Sequence, residues 1–146
     1  MKKLNEFLTA VNTHIDRNGF VDVLELAPYF EDLQMQDWES MVQKENGRPV
    51  NTTIYQSDLF RMIIIHWAGN QQSSLHGHPD GGGLIKVLSG QLEEMRYDPE
   101  DREELGFFGY GEGDVTYIHD DIALHQVKNP EERPAYSLHM YTRKAS

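Results

Sequence analysis

The chain has 146 residues, a formal net charge of −11 and no cysteine. A chain this acidic repels phosphate backbones and anionic lipid surfaces, so we expect neither nucleic-acid nor membrane partners. The lack of cysteine excludes disulfides, thiolate metal ligands and cysteine nucleophiles. The length suits one hydrophobic core, and we predict a single domain over residues 1–146. The charges at the very start do not resemble a signal peptide, which favours a cytoplasmic location.

The first part of the chain, residues 1–47, has the periodicity of helices. Apolar residues recur at helical spacing in the first segment, which Asn18-Gly19 ends: Leu4, Phe7, Leu8, Val11 and Ile15. A second short apolar face precedes Pro28, and a third, around Trp38, ends at Asn46-Gly47-Arg48-Pro49. We expect these helices to pack outside the remainder of the domain.

From about Asn51 onward, and over 48–146 as a whole, the sequence changes to short strands separated by turns. The strand candidates are 59–67, 84–88, 91–97, 115–118, 124–127 and 135–142. Because 84–88 and 91–97 are joined by Ser89-Gly90, they have the pattern of a hairpin. The glycine-rich stretch 106–113 is predicted as a loop. The sequence thus predicts a mainly β domain, an antiparallel barrel or jelly roll.

The histidines suggest a metal site. His76 and His78 form an H-x-H pair, and on a strand both side chains point to the same face because side chains alternate with period two. His125, in a later strand candidate, can supply a third ligand. Three neutral imidazoles leave coordination positions open, which suits catalysis more than structural metal binding. An isolated H-x-H pair is more often two exposed loop histidines, and imidazole also suits zinc, copper and nickel.

The spacing around these histidines resembles the cupin superfamily. His76-Gly77-His78 is followed by Gly83 and Gly90, as in the first cupin motif, whose glutamate ligand falls on Gly83. Gly113 and the segment from His125 to Asn129 are similar to the second motif. This resemblance implies a cupin-type antiparallel β-barrel.

A site of three histidines without the glutamate resembles the cysteine dioxygenase family within the cupins. The stretch 117–129 is similar to that family's third-ligand region, and Ser137-Leu138-His139-Met140-Tyr141 matches its S-L-H-x-Y element. The resemblance implies one Fe(II) per chain on His76, His78 and His125. It also implies a catalytic relay of Ser137, His139 and Tyr141, and oxidation by O2 of a small thiol (cysteine, 3-mercaptopropionate or a related one) to its sulfinate.

The chain departs from the family pattern at the substrate side. Asn51 stands where cysteine-specific members have an arginine that binds the substrate carboxylate. Arg48 is an odd number of residues from Asn51, so on a regular strand its side chain points to the opposite face unless a bulge intervenes. Arg61 and Arg143 are the other candidates, although a solvated arginine is the more common state. The cysteine that is crosslinked to the tyrosine in vertebrate members is Gly83 here, and the S-P-P continuation is absent. The identity of the thiol stays open, as does the choice between a monomer and a weak homodimer.

Two other functions remain open at this point. One is a non-catalytic metal-binding cupin that senses or stores a ligand, which the predicted relay of Ser137, His139 and Tyr141 disfavours. The other is a cupin isomerase or a dioxygenase that acts on carbon. Metal analysis and anaerobic thiol titration separate this last function from thiol oxidation, because we expect thiols to perturb the spectrum of bound iron only in a thiol dioxygenase.

Overall fold

The computed structural model describes residues 3–43 and 49–145 of the chain. Two α-helices, α1 (Leu4–Asn18) and α2 (Ala27–Asp32), and two short 3₁₀ helices, Val23–Leu26 and Trp38–Met41, precede the strands. The strands are β1 (Val50–Gln56), β2 (Phe60–Trp67), β3 (Gly83–Ser89), β4 (Leu92–Tyr97), β5 (Glu104–Tyr110), β6 (Val115–Ile118), β7 (Leu124–Lys128) and β8 (Ala135–Thr142). They form two antiparallel sheets of order β1-β2-β8-β3-β6 and β5-β4-β7. The mainly β prediction is confirmed.

The five-stranded sheet is covered on both faces, which explains the continuous apolar run of β2. Met62 and Ile64 point outward into a cluster that includes residues of α1, whereas Ile63 and Ile65 point inward, into a second cluster with Trp67. A strand that is buried on both faces loses the alternation of apolar and polar residues. The inner cluster forms the interior of the barrel and one wall of the candidate site.

The helices pack on the outer face of the five-stranded sheet, as predicted. Phe7, Val11 and Ile15 form the buried stripe of α1 and belong to the same cluster as Met62 and Ile64. Pro28 does not end a helix, because it lies in the first turn of α2, where its missing N–H costs no hydrogen bond. No helix within the described ranges has the length and apolar character needed to cross a membrane.

Two local predictions are wrong. β3 and β4 do not form a hairpin, because β3 pairs with β6 and β8 whereas β4 pairs with β5 and β7. Gly90, at φ +82°, directs the chain from one sheet to the other, and a Cβ there would lie 2.9 Å from that of Ala135. The stretch 106–113 is not a loop throughout, since β5 extends to Tyr110. Among the described residues this strand pairs with β4 alone, and its side chains are mostly exposed. Glycines that lack a side chain therefore lose little packing there.

Candidate metal centre

His76, His78 and His125 come together at one end of the barrel. His125 lies in β7, but the H-x-H pair is not in a named strand, which corrects the prediction. It lies in an extended segment between β2 and β3, where His76 and His125 form an isolated bridge with N···O distances of 3.1 and 3.3 Å. The backbone N–H of His78 donates to Asp120 Oδ1 at 2.8 Å. These bonds hold His76 against β7 and His78 against the turn between β6 and β7, without a continuous ladder.

The three Nε2 atoms converge on one point. His125 Nε2 lies 3.0 Å from His78 Nε2 and 3.0 Å from His76 Nε2. A metal–nitrogen distance of about 2.0–2.1 Å places two ligands at right angles about 2.8–3.0 Å apart. Each of these two spacings therefore fits adjacent positions around one metal ion, and the ligand nitrogens of all three residues lie within 4.8 Å of one another.

The other ring nitrogen of each histidine faces an oxygen. His76 Nδ1 lies 2.8 Å from the carbonyl oxygen of Ser74, His78 Nδ1 lies 3.3 Å from Asp120 Oδ1, and His125 Nδ1 lies 2.6 Å from Glu94 Oε2. These acceptors place the proton of each neutral ring on Nδ1. Three Nε2 lone pairs then face one another with no proton between them. A cation removes this repulsion, so the side chains fit a bound metal ion.

The same environment keeps the rings of His76 and His78 neutral. Burial, and then the neighbouring imidazole of His125, lowers the pKa of His76. Burial together with His125 and His76 lowers the pKa of His78 to about 3. Neutral imidazoles are the form that binds metals, so no proton has to leave these two rings at neutral pH.

Glu94 accepts the hydrogen bond from Nδ1 of His125. Its carboxylate, 2% exposed, also accepts hydrogen bonds from the Tyr110 hydroxyl at 2.7 Å and from Arg96 Nε at 2.9 Å. Burial opposes ionisation, but the hydrogen bonds with His125, Tyr110 and Arg96 outweigh it and hold the pKa of Glu94 at about 2. Glu94 is thus a charged acceptor that orients the His125 ring.

Ser137, His139 and Tyr141 lie on the inward face of β8 and form a hydrogen-bonded chain. Ser137 Oγ lies 2.6 Å from His139 Nε2, and His139 Nδ1 lies 2.8 Å from the Tyr141 hydroxyl. Trp67 Nε1, which can only donate, bonds Ser137 Oγ at 2.9 Å. Since Ser137 accepts from Trp67, its own proton goes to His139, and His139 donates in turn to Tyr141. The Tyr141 proton is then directed away from His139.

Tyr141 lies next to the histidines. Its ring stacks on His78 with centroids 5.8 Å apart. Burial raises the pKa of Tyr141, and the positive charge of Arg61 only partly offsets this, so the hydroxyl stays protonated at neutral pH. A Cβ on Gly83 would lie 2.7 Å from Cε1 of Tyr141, which means that the ring occupies the space of the missing side chain.

A cavity of about 370 Å³ connects these groups. It is lined by the three histidines, His139, Tyr141 and the apolar side chains of Ile63, Ile65, Trp67 and Val127. The three predicted substrate candidates, Asn51, Arg61 and Arg143, also line it, whereas Arg48 falls outside the described residues. Its volume lies in the range of roughly 300–1,000 Å³ that is typical of small-molecule sites.

The structure adds residues that the sequence did not indicate. Trp67, Glu94 and Asp120 bond the relay or the histidines, and none of them was expected. Glu94 lies two residues after Leu92, on the same inward face of β4. An acidic residue at a position where strand alternation predicts a buried apolar one could therefore have indicated its role. Trp67 and Asp120 acquire their partners only through pairings that are distant in sequence.

Solved structures with the same fold define the class. A protein with a double-stranded β-helix domain from Klebsiella pneumoniae aligns with a TM-score of 0.63 and 17% identity over 75% of this chain and 89% of its own. A cupin superfamily protein from Desulfitobacterium hafniense aligns with a TM-score of 0.58 and 14% identity over 76% and 92% of the two chains. The chain has the cupin fold.

Sequence relatives define the family. The family model for cysteine dioxygenase type I matches residues 14–144. Cysteine dioxygenase type 1 of Danio rerio is 31% identical over 138 residues, 88% of this chain and 69% of the relative. The Rattus norvegicus protein of the same name is 34% identical over 89 residues, 57% of this chain and 44% of the relative. The chain belongs to the cysteine dioxygenase family of cupin enzymes, and it spans only part of the length of these relatives.

Proposed function

We propose that the protein is an iron-dependent thiol dioxygenase that oxidises a small thiol to its sulfinate with O2. The observation that carries the proposal is the convergence of three unprotonated Nε2 atoms beside a protonated tyrosine, in a cavity sized for a small molecule. His76, His78 and His125 would hold one Fe(II). Membership of the cysteine dioxygenase family supports iron over the other metals that imidazole binds.

The reaction needs no other redox partner. The thiol loses its proton, the O–O bond breaks, and both oxygen atoms bond to sulfur. Sulfur gives up four electrons and dioxygen takes them up, so R–SH and O2 give R–SO2H. When bound, the ferrous ion supplies a site for the thiolate and the redox activation of dioxygen.

The protein's own residues position the reacting groups and supply a hydrogen-bond donor. The hydrogen-bonded chain from Trp67 to Tyr141 fixes the direction of the Tyr141 proton, so that this hydroxyl donates into the cavity. A preorganised donor stabilises negative charge that develops on oxygen, because it costs no reorganisation during the reaction. The side chains of Ile63, Ile65 and Val127 give the same space an apolar wall.

The test is oxygen consumption by ferrous-loaded protein with cysteine, 3-mercaptopropionate and cysteamine, with the product identified by mass spectrometry. We expect one O2 per sulfinate formed for at least one thiol. His125→Gln should abolish the reaction, and His14→Gln, on the outer helix α1, should not change it. A wild-type protein that holds one iron per chain and consumes no oxygen with any of these thiols would refute the proposal.

A further inference from the structure

Two turns hold His78 on the side that leads to β3. The first is the turn of residues 79–83, which follows His78 directly. The second is the turn of residues 119–123 between β6 and β7. Its Asp120 accepts from the backbone N–H of His78 at 2.8 Å and lies 3.3 Å from the ring Nδ1. Because His78 lies outside the named strands, the position of its ring depends on these two turns.

The side chain of His119 joins the two turns. Its Nε2 lies 3.0 Å from the carbonyl oxygen of Asp80, and its Nδ1 accepts from the backbone N–H of Asp121 at 3.0 Å. Since Nδ1 accepts, the neutral ring carries its proton on Nε2 and donates it to Asp80. The turn that follows the histidine pair is therefore bonded to the turn that carries Asp120.

The segment between α1 and the first 3₁₀ helix is bonded to the first of these turns. We call residues 21–23 the helix junction. The backbone N–H of Val23 donates to the carbonyl oxygen of Gly81 at 2.8 Å, and the Thr142 hydroxyl donates to the carbonyl oxygen of Val21 at 2.8 Å. The N–H of Gly81 donates in turn to the carbonyl oxygen of Thr142 at 2.9 Å. The helix junction, the end of β8 and the turn after the histidine pair thus form one bonded unit.

Asp22 is the side chain of the helix junction that reaches the second turn. Its two carboxylate oxygens lie 2.9 and 3.0 Å from the hydroxyl of Tyr117, in the strand that leads into that turn. Oδ2 also lies 3.5 Å from Nε2 of His119. Bonds to a charged acceptor are stronger than bonds between neutral groups. Asp22 therefore ties the helical segment to both turns, although its partner Tyr117 is 95 residues away in the chain.

We propose that Asp22 is a positioning residue for the metal centre because it fixes the two turns that orient His78, an inference that rests on the metal binding of the proposed function and not on thiol oxidation. Asp22 acts through the Tyr117 hydroxyl and the His119 ring. A metal site needs its ligands held within about 0.5 Å of their productive positions. The helical segment then does more than cover the sheet, because its junction determines how well His78 binds metal.

Metal binding separates a positioning role from a merely structural one. Metal-free protein would be titrated with Fe(II) under anaerobic conditions and with Co(II), whose visible absorption bands report the geometry of its ligands. Loss of an outer partner of a metal ligand typically costs about 10- to 100-fold in affinity, and because Asp22 acts through other residues we expect Asp22→Ala to lower both affinities about 10-fold. The Co(II) bands should shift as well. Asp22→Asn, which keeps an oxygen acceptor for Tyr117, should restore most of the affinity.

Tyr117→Phe tests the same contact with a smaller change, since it removes only the hydroxyl. It should weaken metal binding to a similar extent. The double variant of Asp22→Ala and Tyr117→Phe should lose no more than about threefold beyond Asp22→Ala alone, because both substitutions break one contact and their effects do not add. Asp16→Ala is the matched control: it removes an exposed aspartate of α1 and should bind both metals as the wild type does.

Urea unfolding of each metal-free variant supplies the comparison with stability. If Asp22→Ala and Tyr117→Phe both bind Co(II) within about twofold of the wild type and with unchanged bands, the positioning role is overturned, even where the variants unfold more easily. A wild-type protein that binds neither metal overturns it as well. If metal binding depends on Asp22 but the iron-loaded protein oxidises no thiol, the positioning role stands and the proposed function fails.

Discussion

Replacement of Glu94 by glutamine tests whether a charged acceptor orients His125. The carboxylate is 2% exposed and contacts His125, Tyr110 and Arg96. Its pKa falls from 4.5 to about 2 on folding, a stabilisation of the ionised form by about 3 kcal/mol at about 1.4 kcal/mol per pH unit. We therefore expect Glu94→Gln to lower the free energy of unfolding of the metal-free protein by about 3 kcal/mol at pH 7.

The pH dependence gives the sign of this effect. Because folding lowers the pKa of Glu94, its stabilisation is fully present above about pH 4.5 and is lost as the pH falls through about 2. The difference in unfolding free energy between wild type and Glu94→Gln should shrink over that interval. Urea unfolding followed by circular dichroism measures it, with Glu93→Gln on the opposite face of β4 as the control.

The same substitution should weaken metal binding. A glutamine amide can donate to His125 Nδ1, which moves the ring proton to Nε2 and removes the lone pair that binds metal. Loss of such a supporting hydrogen bond typically costs about 10- to 100-fold in metal affinity. If Glu94→Gln unfolds within about 0.5 kcal/mol of the wild type at pH 7 and binds ferrous ion equally well, the orienting role of Glu94 is refuted.

Three further substitutions test the metal centre and its neighbours. Folding lowers the pKa of His78 from 6.5 to about 3, so the metal-free protein should lose stability as the pH falls below 6.5. The substitution His78→Asn should reduce this loss by about 1.4 kcal/mol per pH unit, measured by urea unfolding at several pH values. Gly83→Ala should displace the Tyr141 ring and slow thiol oxidation while ferrous binding persists, whereas Gly109→Ala, where a Cβ meets open space, should change neither. Tyr141→Phe should lower kcat about 100-fold with the iron still bound, and an unchanged kcat would exclude a donor role for the hydroxyl.

The sequence predicted those parts of the protein that local pattern determines. Alternation placed Ser137, His139 and Tyr141 on one face of a strand, and the structure has them there. Helical spacing identified the buried stripe of α1, including Phe7 and Val11. These features depend on residues a few positions apart, where side-chain geometry is set by the backbone alone.

Features that depend on distant pairing were not predictable in the same way. Ser89-Gly90 has the form of a hairpin turn, but the choice between pairing β3 with β4 or with β8 is made by packing across the whole barrel. The supporting contact between Glu94 and His125 spans 31 residues and exists only because β4 and β7 are neighbours. Arg61 and Arg143 were named as substrate candidates and both line the cavity, although nothing local in the sequence separates them from the other basic residues, of which the chain has 13 in all.

Oxidation of a thiol under ¹⁸O2 is the most direct measurement of the central claim. Ferrous-loaded protein would be mixed with 3-mercaptopropionate or cysteine under labelled gas, and the product analysed by mass spectrometry. The three-histidine centre beside Tyr141 predicts a sulfinate in which both oxygen atoms are labelled. A product that contains one labelled oxygen, or a disulfide with no label, would contradict it.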